Sequence, residues 1–513
     1  MIQGRSLWEL VERRAAASPD ALFAVDDADR SLSFAGYRAA VERAAAGLAR
    51  RGIGPGVPVS WVLPTRLSAL VLAGALARLS AVQNPILPIY RQREVGFCVR
   101  QTGARLLVVP PVFRKFDYPG MAREIAAEAP GLDVLVVDHE LPEGDPKRLP
   151  PPPEATAPEA APVRWTFYTS GTTADPKGAR HTDATLLVAA RGLVRVLELR
   201  EDDRIALVFP VTHIGGPGWL MAGLLSGAAQ IAIETFGPAA VDVLARFGVT
   251  IAGAGTAFHQ TYLAAQRERG AARIFPQVRS FPGGGAPKPP QLHFDLKKEL
   301  GGAGIVSGYG LTECPIIAMN TLRDPDEKLA HTEGRANPPG AQIRVVRLDG
   351  REAGPGEEGE LRVLGPQLCK GYLDSRLDAE AFDERGFFRT GDLGFLDADG
   401  FVVITGRLKD VIIRKGENIS AKEVEDLLYQ HPKVADVAVI GLPDAKLGER
   451  CCAVVACRDA ADPLGFEEMV AFLRARKLML QKIPEQLELV AEVPRNPAGK
   501  IQKKELRQRF GGS

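Results

Sequence analysis

The chain has 513 residues, of which 45% are hydrophobic and 25% charged, and its formal net charge is +1. This composition is that of an ordinary globular protein, and the length exceeds one compact domain, so we expect at least two domains. The balanced charge argues against nucleic acid as the main partner. No apolar stretch reaches the roughly 18 residues of a membrane span, so no integral membrane segment is expected.

The N-terminus lacks the apolar core of a signal peptide, which favours a cytoplasmic protein. The six cysteines show no C-x-x-C pair and no metal-ligand spacing, so we expect reduced thiols. Nothing in the composition decides between a monomer and a homodimer.

The first third of the chain alternates strand and helix patterns. Residues 57–63 and 106–109 read as buried strands, and residues 39–50 and 68–79 read as apolar helices. Such alternation predicts an α/β fold with a mostly parallel sheet covered on both faces. The proline-rich residues 149–162 form neither helix nor sheet in this prediction and connect to a second α/β section.

The second section begins with a loop rich in glycine, hydroxyl groups and lysine. It follows a strand predicted at residues 165–168. Glycines let backbone N–H groups turn inward, hydroxyls add donors and a lysine adds a cation, so the loop is suited to a polyphosphate. It is not a Walker A loop, because Pro176 precedes the lysine and Gly178 follows it. The candidate phosphate-binding residues are Thr169, Ser170, Gly171, Thr172, Thr173 and Lys177.

This loop resembles the phosphate loop of the adenylate-forming superfamily, which includes acyl-CoA synthetases, adenylation domains of peptide synthetases, and luciferases. Seven motifs follow the family's order and cover nearly the whole chain. The resemblance implies a large N-terminal domain of αβ-layered sheets with a β-rich subdomain, residues 1–407. It also implies a small mobile C-terminal α+β domain, residues 408–513, with its hinge at Lys409.

Two further motifs would hold the adenosine and its phosphates. The resemblance places Gly285, Ala286 and Pro287 beside the adenine. The second motif, residues 307–313, fails as a dinucleotide fingerprint because Glu313 stands in place of its last glycine. In the family's arrangement this motif offers a ring for the purine, a hydroxyl for the α-phosphate and a carboxylate for Mg²⁺. Its assigned residues are Gly308, Tyr309, Gly310, Thr312 and Glu313.

The ribose diol is assigned to Asp392 and Arg407. An aspartate between glycine-permitted turns can accept two hydroxyl hydrogen bonds, although an Asx-turn is an equal alternative for this residue alone. The position after the earlier motifs favours the ribose.

The carboxylic acid is assigned to His213, Phe258, Gly283 and Gly284. His213 ends a predicted strand at the edge where open α/β sheets bind ligands, although a lone histidine is more often structural. Residues 84–91 and 113–118 resemble the subgroup of short- and medium-chain fatty acid and cyclohexanecarboxylate-CoA ligases. Each of these two segments is as easily explained as a plain connecting loop.

Near the C-terminus, Ser420 is predicted to begin a helix, and residues 494–501 contain Lys500. The resemblance implies that Lys500 bridges the acid carboxylate and the phosphate. It also implies that the domain rotates about Lys409 and that Gly416 then leaves room for pantetheine. Asn496 departs from the family's usual threonine, in a turn.

These assignments predict an ATP-dependent ligase that joins a carboxylic acid to coenzyme A through acyl-AMP, with Mg²⁺. A stand-alone adenylation enzyme that serves a carrier-protein pantetheine is the alternative. An inactive nucleotide-binding scaffold would be expected to have lost Lys500, Glu313 or Asp392, and all three are present. Luciferase-like oxygenation is not excluded by any motif.

Overall fold

The computed structural model describes residues 1–154, 156–169, 176–270, 272–285, 288–414, 417–444, 446–496 and 500–511. Several predicted site residues lie outside this description: Ser170, Gly171, Thr172, Thr173, Ala286, Pro287 and Gly416. The helices of the described residues are α1 Leu7–Ala17, α2 Phe34–Ala49, α3 Leu67–Arg78, α4 Gln92–Thr102, α5 Tyr118–Glu128, α6 Asp183–Val196, α7 Gly215–Ser226, α8 Pro238–Arg246, α9 Thr256–Arg269, α10 Pro290–Glu299, α11 Asp326–His331, α12 Asp378–Ala381, α13 Ala421–Leu428, α14 Phe466–Ala475 and α15 Lys503–Phe510.

The strands divide into those before and those after residue 300. The first group is β1 Leu22–Asp26, β2 Ser31–Ser33, β3 Pro58–Trp61, β4 Val82–Pro85, β5 Leu106–Val109, β6 Val112–Phe113, β7 Phe116–Asp117, β8 Asp133–Val136, β9 Val163–Thr169, β10 Lys177–Thr182, β11 Arg204–Leu207, β12 Ala229–Ala232 and β13 Phe281–Gly284. The second group is β14 Ile305–Tyr309, β15 Ala318–Met319, β16 Arg335–Ala336, β17 Gln342–Val346, β18 Gly359–Leu364, β19 Phe388–Leu396, β20 Val402–Arg407, β21 Val411–Arg414, β22 Glu417–Ser420, β23 Val434–Asp444, β24 Gly448–Cys457 and β25 Gln486–Val490.

The predicted α/β fold class is confirmed. A six-stranded sheet runs β10-β9-β4-β3-β5-β8, in which the neighbours from β9 to β8 are parallel and β10 is antiparallel to β9. All four residues of β5 are buried, as expected for a strand covered by helices on both faces. Two further sheets run β11-β12-β1-β2 and β13-β14-β15-β16.

The β-rich region is an antiparallel sheet in the order β17-β18-β19-β20. A last sheet contains β21 to β25, and we call the region Val411–Phe510 the lid. Its apolar cores consist of lid residues only. The domain boundary at residues 407 and 408 stays a prediction.

Strands β23 and β24 of the lid are long, with 11 and 10 residues. Their length follows from burial on both faces. Val437 and Val439 face one lid core, whereas Ala438 and Ile440 face the other. Alternate residues of a strand point to opposite faces, so a continuous apolar run can serve two cores.

Ser420 begins α13 as predicted, and its hydroxyl accepts a hydrogen bond from the Glu423 backbone N–H at 3.3 Å. In the connector 149–162, a 3-10 turn at Pro158–Ala160 is the only helix or strand among the described residues. All six cysteines lie in the described part and are free thiols. Within the described residues, no helix has the length and apolar character needed to cross a membrane.

Candidate active site

Three predicted nucleotide residues meet where strands β14, β19 and β20 come together. The Tyr309 hydroxyl donates to Asp392 Oδ2 at 2.8 Å, and Arg407 Nε lies 2.7 Å from Asp392 Oδ1. The register of β19 and β20 places Asp392 directly opposite Arg407. Asp392 therefore lies within a strand, and the alternative that it forms an Asx-turn is wrong.

The carboxylate of this cluster is buried and fully hydrogen-bonded, and burial keeps the neighbouring phenol protonated. Asp392 is 4% exposed, and both of its carboxylate oxygens have a donor. Burial, together with the Asp392 charge, raises the pKa of Tyr309 well above its usual value, so the phenol keeps its proton. The sequence indicated only a ring at Tyr309. The structure adds a hydroxyl that orients the Asp392 carboxylate.

Glu313 is held by a residue that was not assigned to the site from the sequence. The Tyr372 hydroxyl donates to Glu313 Oε1 at 2.6 Å, and Glu313 is 7% exposed. Burial raises the pKa of Glu313, and the Tyr372 hydrogen bond and the Lys177 charge oppose that rise. Lys177 Nζ lies 5.7 Å from the centre of the Tyr372 ring. The Lys177 cation thus reaches the neighbourhood of Glu313.

Thr312 is fixed through its backbone by His181, which no motif signalled. His181 Nε2 donates to the Thr312 carbonyl at 2.9 Å, and His181 Nδ1 lies 3.0 Å from Thr185 Oγ1. Burial lowers the pKa of His181 to about 4, so the imidazole is neutral. A neutral ring with one N–H suits this carbonyl contact.

Two glycines of the strip beside the predicted adenine site are required by packing. A Cβ on Gly283 would lie 2.8 Å from His259 Cε1, and one on Gly284 would lie 2.4 Å from the Gly308 carbonyl oxygen. Protein therefore fills the space left by these missing side chains. Gly285 differs, because its φ is +75° and a Cβ there would meet nothing within 4 Å. Contact of Gly283 and Gly284 with the acid stays a prediction.

Gly308 and Gly310 are also closely packed. A Cβ on Gly310 would lie 2.3 Å from the Ile316 backbone nitrogen, and one on Gly308 would lie 3.3 Å from Met319 Cγ. Both glycines therefore let the segment that carries Tyr309 pack against the following chain.

His213 lines a narrow pocket next to Thr312. The loop after β4 reaches the same pocket, and a functional role of residues 84–91 stays a prediction. Burial lowers the pKa of His213 to about 4, and its Nδ1 accepts from the Gly215 N–H at 3.2 Å. Phe258 packs on Phe236 with ring centres 4.6 Å apart and is not among the residues that line this pocket. The lining residues are Pro85, Ile86, Leu87, Tyr90, Phe167, Tyr168, Thr212, His213, Ile214 and Thr312.

Lys500 of the lid lies within electrostatic range of the Asp392–Arg407 pair. Burial lowers the pKa of Lys500 to about 8, helped by the positive charges of Arg407 and Lys409, whereas Asp392 opposes the shift. Asn496 holds the backbone of this turn. Its side-chain oxygen accepts from the Lys500 N–H at 2.9 Å, and its own N–H donates to the Lys500 carbonyl at 2.8 Å. The residue that departs from the family pattern thus positions the lysine.

The connection to the lid is short. Lys409 lies in a 3-10 helix, Leu408–Asp410, between β20 and β21. The Ser420 hydroxyl donates to the Thr405 carbonyl at 2.5 Å across the two parts. We call the chain before Leu408 the large part. Beside the Ser420–Thr405 contact, a cleft of about 710 Å³ lies between the large part and α13.

Each ion pair that lines the cleft joins two residues of the same part of the molecule. Lys328 Nζ lies 2.6 Å from Asp397 in the large part, and Lys422 pairs with Asp426 within the lid. Among the described residues, Arg507 of the lid pairs with Asp410 of the connector at 2.9 Å, and no ion pair joins the lid to a residue before Leu408.

Residues 11–373 match the family described as AMP-binding enzyme, and residues 423–500 match the AMP-binding enzyme C-terminal domain. The chain belongs to the AMP-binding enzyme family. This confirms the resemblance to the adenylate-forming superfamily, and the protein is an AMP-forming ligase of that superfamily.

Relatives of this AMP-binding enzyme cover nearly its whole length. It is 33% identical to a salicyl-AMP ligase / salicyl-S-ArCP synthetase of Mycobacterium tuberculosis, over 99% of this chain and 91% of that protein. It is 31% identical to a medium-chain fatty-acid–CoA ligase of Escherichia coli, over 98% and 90% of the two chains. ATP-bound MatB from Rhodopseudomonas palustris superposes with a TM-score of 0.87 at 27% identity, covering 98% of this chain and 99% of MatB.

Proposed function

We propose that this AMP-binding enzyme joins a carboxylic acid to coenzyme A in two half-reactions. The observation that carries the proposal is the buried Tyr309–Asp392–Arg407 cluster, whose charges are close enough to Lys500 of the lid to affect its pKa. A cation beside a diol-binding carboxylate suits a reaction at the α-phosphate of a nucleotide, which lies next to the ribose.

In the first half-reaction a carboxylate oxygen of the acid attacks the α-phosphorus of ATP. The bond to the bridging oxygen breaks, and pyrophosphate leaves with that electron pair. Both reactants are negatively charged, so the protein contributes mainly by positioning and charge neutralisation. Lys500 would lie between the carboxylate and the phosphate, and Lys177 would accompany the outgoing phosphates.

The ribose hydroxyls would donate to Asp392, whose carboxylate the Tyr309 hydroxyl already orients. Thr312 would offer its hydroxyl to the α-phosphate. The residues present also fit Mg²⁺, because a buried carboxylate oxygen is the ligand type that this ion prefers, and Tyr372 engages only one oxygen of Glu313. When bound with the triphosphate, Mg²⁺ would neutralise part of its charge.

In the second half-reaction the CoA thiol attacks the acyl carbonyl, forms the thioester and releases AMP. We propose that the lid rotates about Lys409 between the two steps, which would bring the segment with Gly416 to the site. The medium-chain fatty-acid–CoA ligase among the relatives supports CoA as the acceptor. The salicyl-S-ArCP synthetase supports a carrier protein as the second candidate.

We further propose that the acid is a short- or medium-chain or alicyclic one. The support is the resemblance of residues 84–91 and 113–118; of these, residues 85–87 and Tyr90 lie near His213.

The experiment that tests the function measures AMP release with CoA for acids of two to eighteen carbons and for alicyclic and aromatic acids. Thioester with CoA is the expected product, highest for a four- to ten-carbon or cyclohexane acid. A parallel reaction with a holo-carrier protein in place of CoA identifies the acceptor. Transfer to the carrier alone would contradict the CoA proposal, and higher kcat/KM for palmitate or benzoate would contradict the acid class.

A further inference from the structure

Lys500 lies on the second of two short arms, residues 493–496 and 500–502, that pair with each other. Arg495 of the first arm pairs antiparallel with Ile501 of the second. Strand β23 is an edge strand of the lid sheet, and among the described residues no strand pairing joins it to these arms. Backbone hydrogen bonds therefore join the arms to each other, whereas side chains fix their place on the lid.

Apolar side chains attach the arms to the lid on the face that carries Ile501. Val493 belongs to the apolar core that contains Ala438 and Ile440, and Ile501 packs against that core. Successive residues of an extended arm point to opposite faces, so Lys500 projects away from this core. Apolar packing has no preferred direction, so these contacts alone leave the tilt of the arms unspecified.

A charged contact beside this core supplies the missing direction. Arg495 pairs with Ile501 and therefore shares its face, and Asp436 lies two residues before Ala438 on β23. Arg495 Nη2 lies 2.8 Å from Asp436 Oδ1 and 2.9 Å from Oδ2, and its Nε donates to Oδ2 at 3.1 Å. A guanidinium that binds both oxygens of a carboxylate has a fixed planar geometry, so it orients the arm as well as attaching it.

The Asp436 carboxylate is itself held from α13. The Tyr429 hydroxyl donates to Asp436 Oδ1, and Tyr429 directly follows the last residue of α13. The side chains of Arg495 and Asp436 are 15% and 19% exposed, so the pair is largely shielded from water. Such a pair is often no more stabilising than apolar residues of the same volume, but it fixes geometry.

The chain after Lys500 has a separate anchor on the same helix. Lys503, the first residue of α15, pairs at 2.7 Å with Glu425 of α13, whose side chain is 6% exposed. Glu425 and Tyr429 are four residues apart, so they lie on the same side of the helix. Lys500 is therefore bracketed by one anchor before it and one after it.

We propose that Asp436 and Tyr429, acting through Arg495, are positioning residues that hold Lys500 at the reacting oxygens during acyl-AMP formation. The inference rests on the role of Lys500 in the function proposed above. None of the three needs to touch a substrate. They act through the arms that carry Lys500, so they affect the step that uses this lysine and not the transfer to CoA.

The test compares the two half-reactions of the full chain carrying Asp436→Asn, which keeps the size of the side chain and removes its charge. Acyl-AMP synthesis, followed as acid-dependent ATP–pyrophosphate exchange, should slow about tenfold, because a small displacement of a catalytic group is costly. Thioester formation from supplied acyl-AMP should stay within about twofold. Asp462→Asn is the matched control, since Asp462 also pairs with a lid cation, Lys433, and should leave both half-reactions unchanged.

The deciding measurement is the same substitution in a Lys500→Ala background. Asp436 acts only through Lys500 in this inference, so Asp436→Asn should add no further loss of acyl-AMP synthesis there. A further loss as large as the one in the wild-type background would show that Asp436 acts independently of Lys500, and would overturn the inference.

Tyr429→Phe removes a single oxygen and serves if Asp436→Asn fails to fold. It should slow acyl-AMP synthesis a few-fold and leave thioester formation unchanged. An equal loss of both half-reactions, or no loss in either variant, would overturn the inference and leave the proposed function in place. Wild-type protein without acid-dependent exchange would instead overturn the proposed function itself, and the inference with it.

Discussion

The large part and the lid contribute to the candidate site in different ways. In the large part, Tyr309 and Tyr372 hold the carboxylates of Asp392 and Glu313 through hydrogen bonds of 2.8 and 2.6 Å. In the lid, Lys500 is positioned by backbone hydrogen bonds with Asn496, and burial lowers the pKa of its ammonium to about 8.

The difference indicates a division of work. The large part presents preorganised groups, so changes there should alter nucleotide affinity. We propose that the lid supplies one cation, Lys500. The Ser420–Thr405 hydrogen bond and a short connector attach the lid, so changes there should alter individual steps of the reaction. Preorganised groups lose little entropy on binding, whereas a mobile part can serve two steps in turn.

The largest expected effect tests the lid's cation. Lys500→Ala should lower the rate of acyl-AMP synthesis by on the order of 10²–10³ or more, because a preorganised charge at the reacting oxygens is lost. Thioester formation from supplied acyl-AMP should stay close to wild type. The measurement is the rate of each half-reaction alone, with Lys504→Ala on an exposed position of the same segment as control. Equal loss of both halves would contradict a role confined to adenylation.

The second prediction tests Lys409 as the hinge between the large part and the lid. Proline fixes φ at about −65°, so Lys409→Pro should block a rotation that requires a φ change at this residue. Adenylation should persist in this variant while thioester formation is lost, and Lys409→Ala should support both. Single-turnover assays of the two steps distinguish these outcomes. A Lys409→Pro protein that completes the whole reaction at the wild-type rate would show that the rotation occurs elsewhere or is not needed.

The third prediction tests the assignment of Asp392 in the large part to the ribose. Asp392→Ala removes charge-assisted hydrogen bonds, each worth about 1.5–3 kcal/mol, so the Kd for ATP should rise about tenfold or more. Tyr309→Phe keeps the ring and should weaken ATP binding less, because only the orientation of the carboxylate is affected. Calorimetry with ATP gives both values, and the affinity for the acid should change little. Unchanged ATP affinity in Asp392→Ala would rule out the ribose assignment.

The smallest effect concerns pH. Burial lowers the pKa of Lys500 to about 8, so the ammonium is charged below this pH and loses its proton as the pH rises through it. The kcat/KM for ATP in the adenylation step should therefore fall above about pH 8, since this parameter reports the free enzyme. Lys500→Arg stays charged throughout and should not show this fall. If the wild-type kcat/KM for ATP stays constant from pH 7 to 10, deprotonation of Lys500 does not control the adenylation step.

Local motifs could be recognised from the sequence because few kinds of functional site combine glycine, aspartate and lysine at these fixed spacings. The family followed from them, and the fold class followed from the alternation of strands and helices. Tyr309 and Asp392, both assigned to the nucleotide, are in contact, and their roles and that of Lys500 stay predictions. The partners of these groups did not, because they are distant in the chain. Tyr372 lies 59 residues from Glu313, and His181 lies 131 residues from Thr312. Such pairs depend on how the sheets stack, which periodicity does not encode.

Some glycines also had a different reason from the one expected. Gly283 was assigned to the acid from the sequence, and in the structure the nearest atom to a Cβ there belongs to His259. A single sequence does not tell a glycine required by a neighbouring ring from one that leaves an empty slot, because both lack a side chain. Only Gly285 of the three has open space on that side.

The self-contained charge pairs along the cleft bear on how such enzymes diversify. Lys328 with Asp397, and Lys422 with Asp426, are each neutralised without the other part of the molecule. Recombining a lid with the large part of a related enzyme would therefore leave none of these charges stranded, and a stranded buried charge is what commonly destabilises a hybrid. A substitution in one part of the cleft surface therefore does not require a compensating substitution in the other part to keep these charges paired.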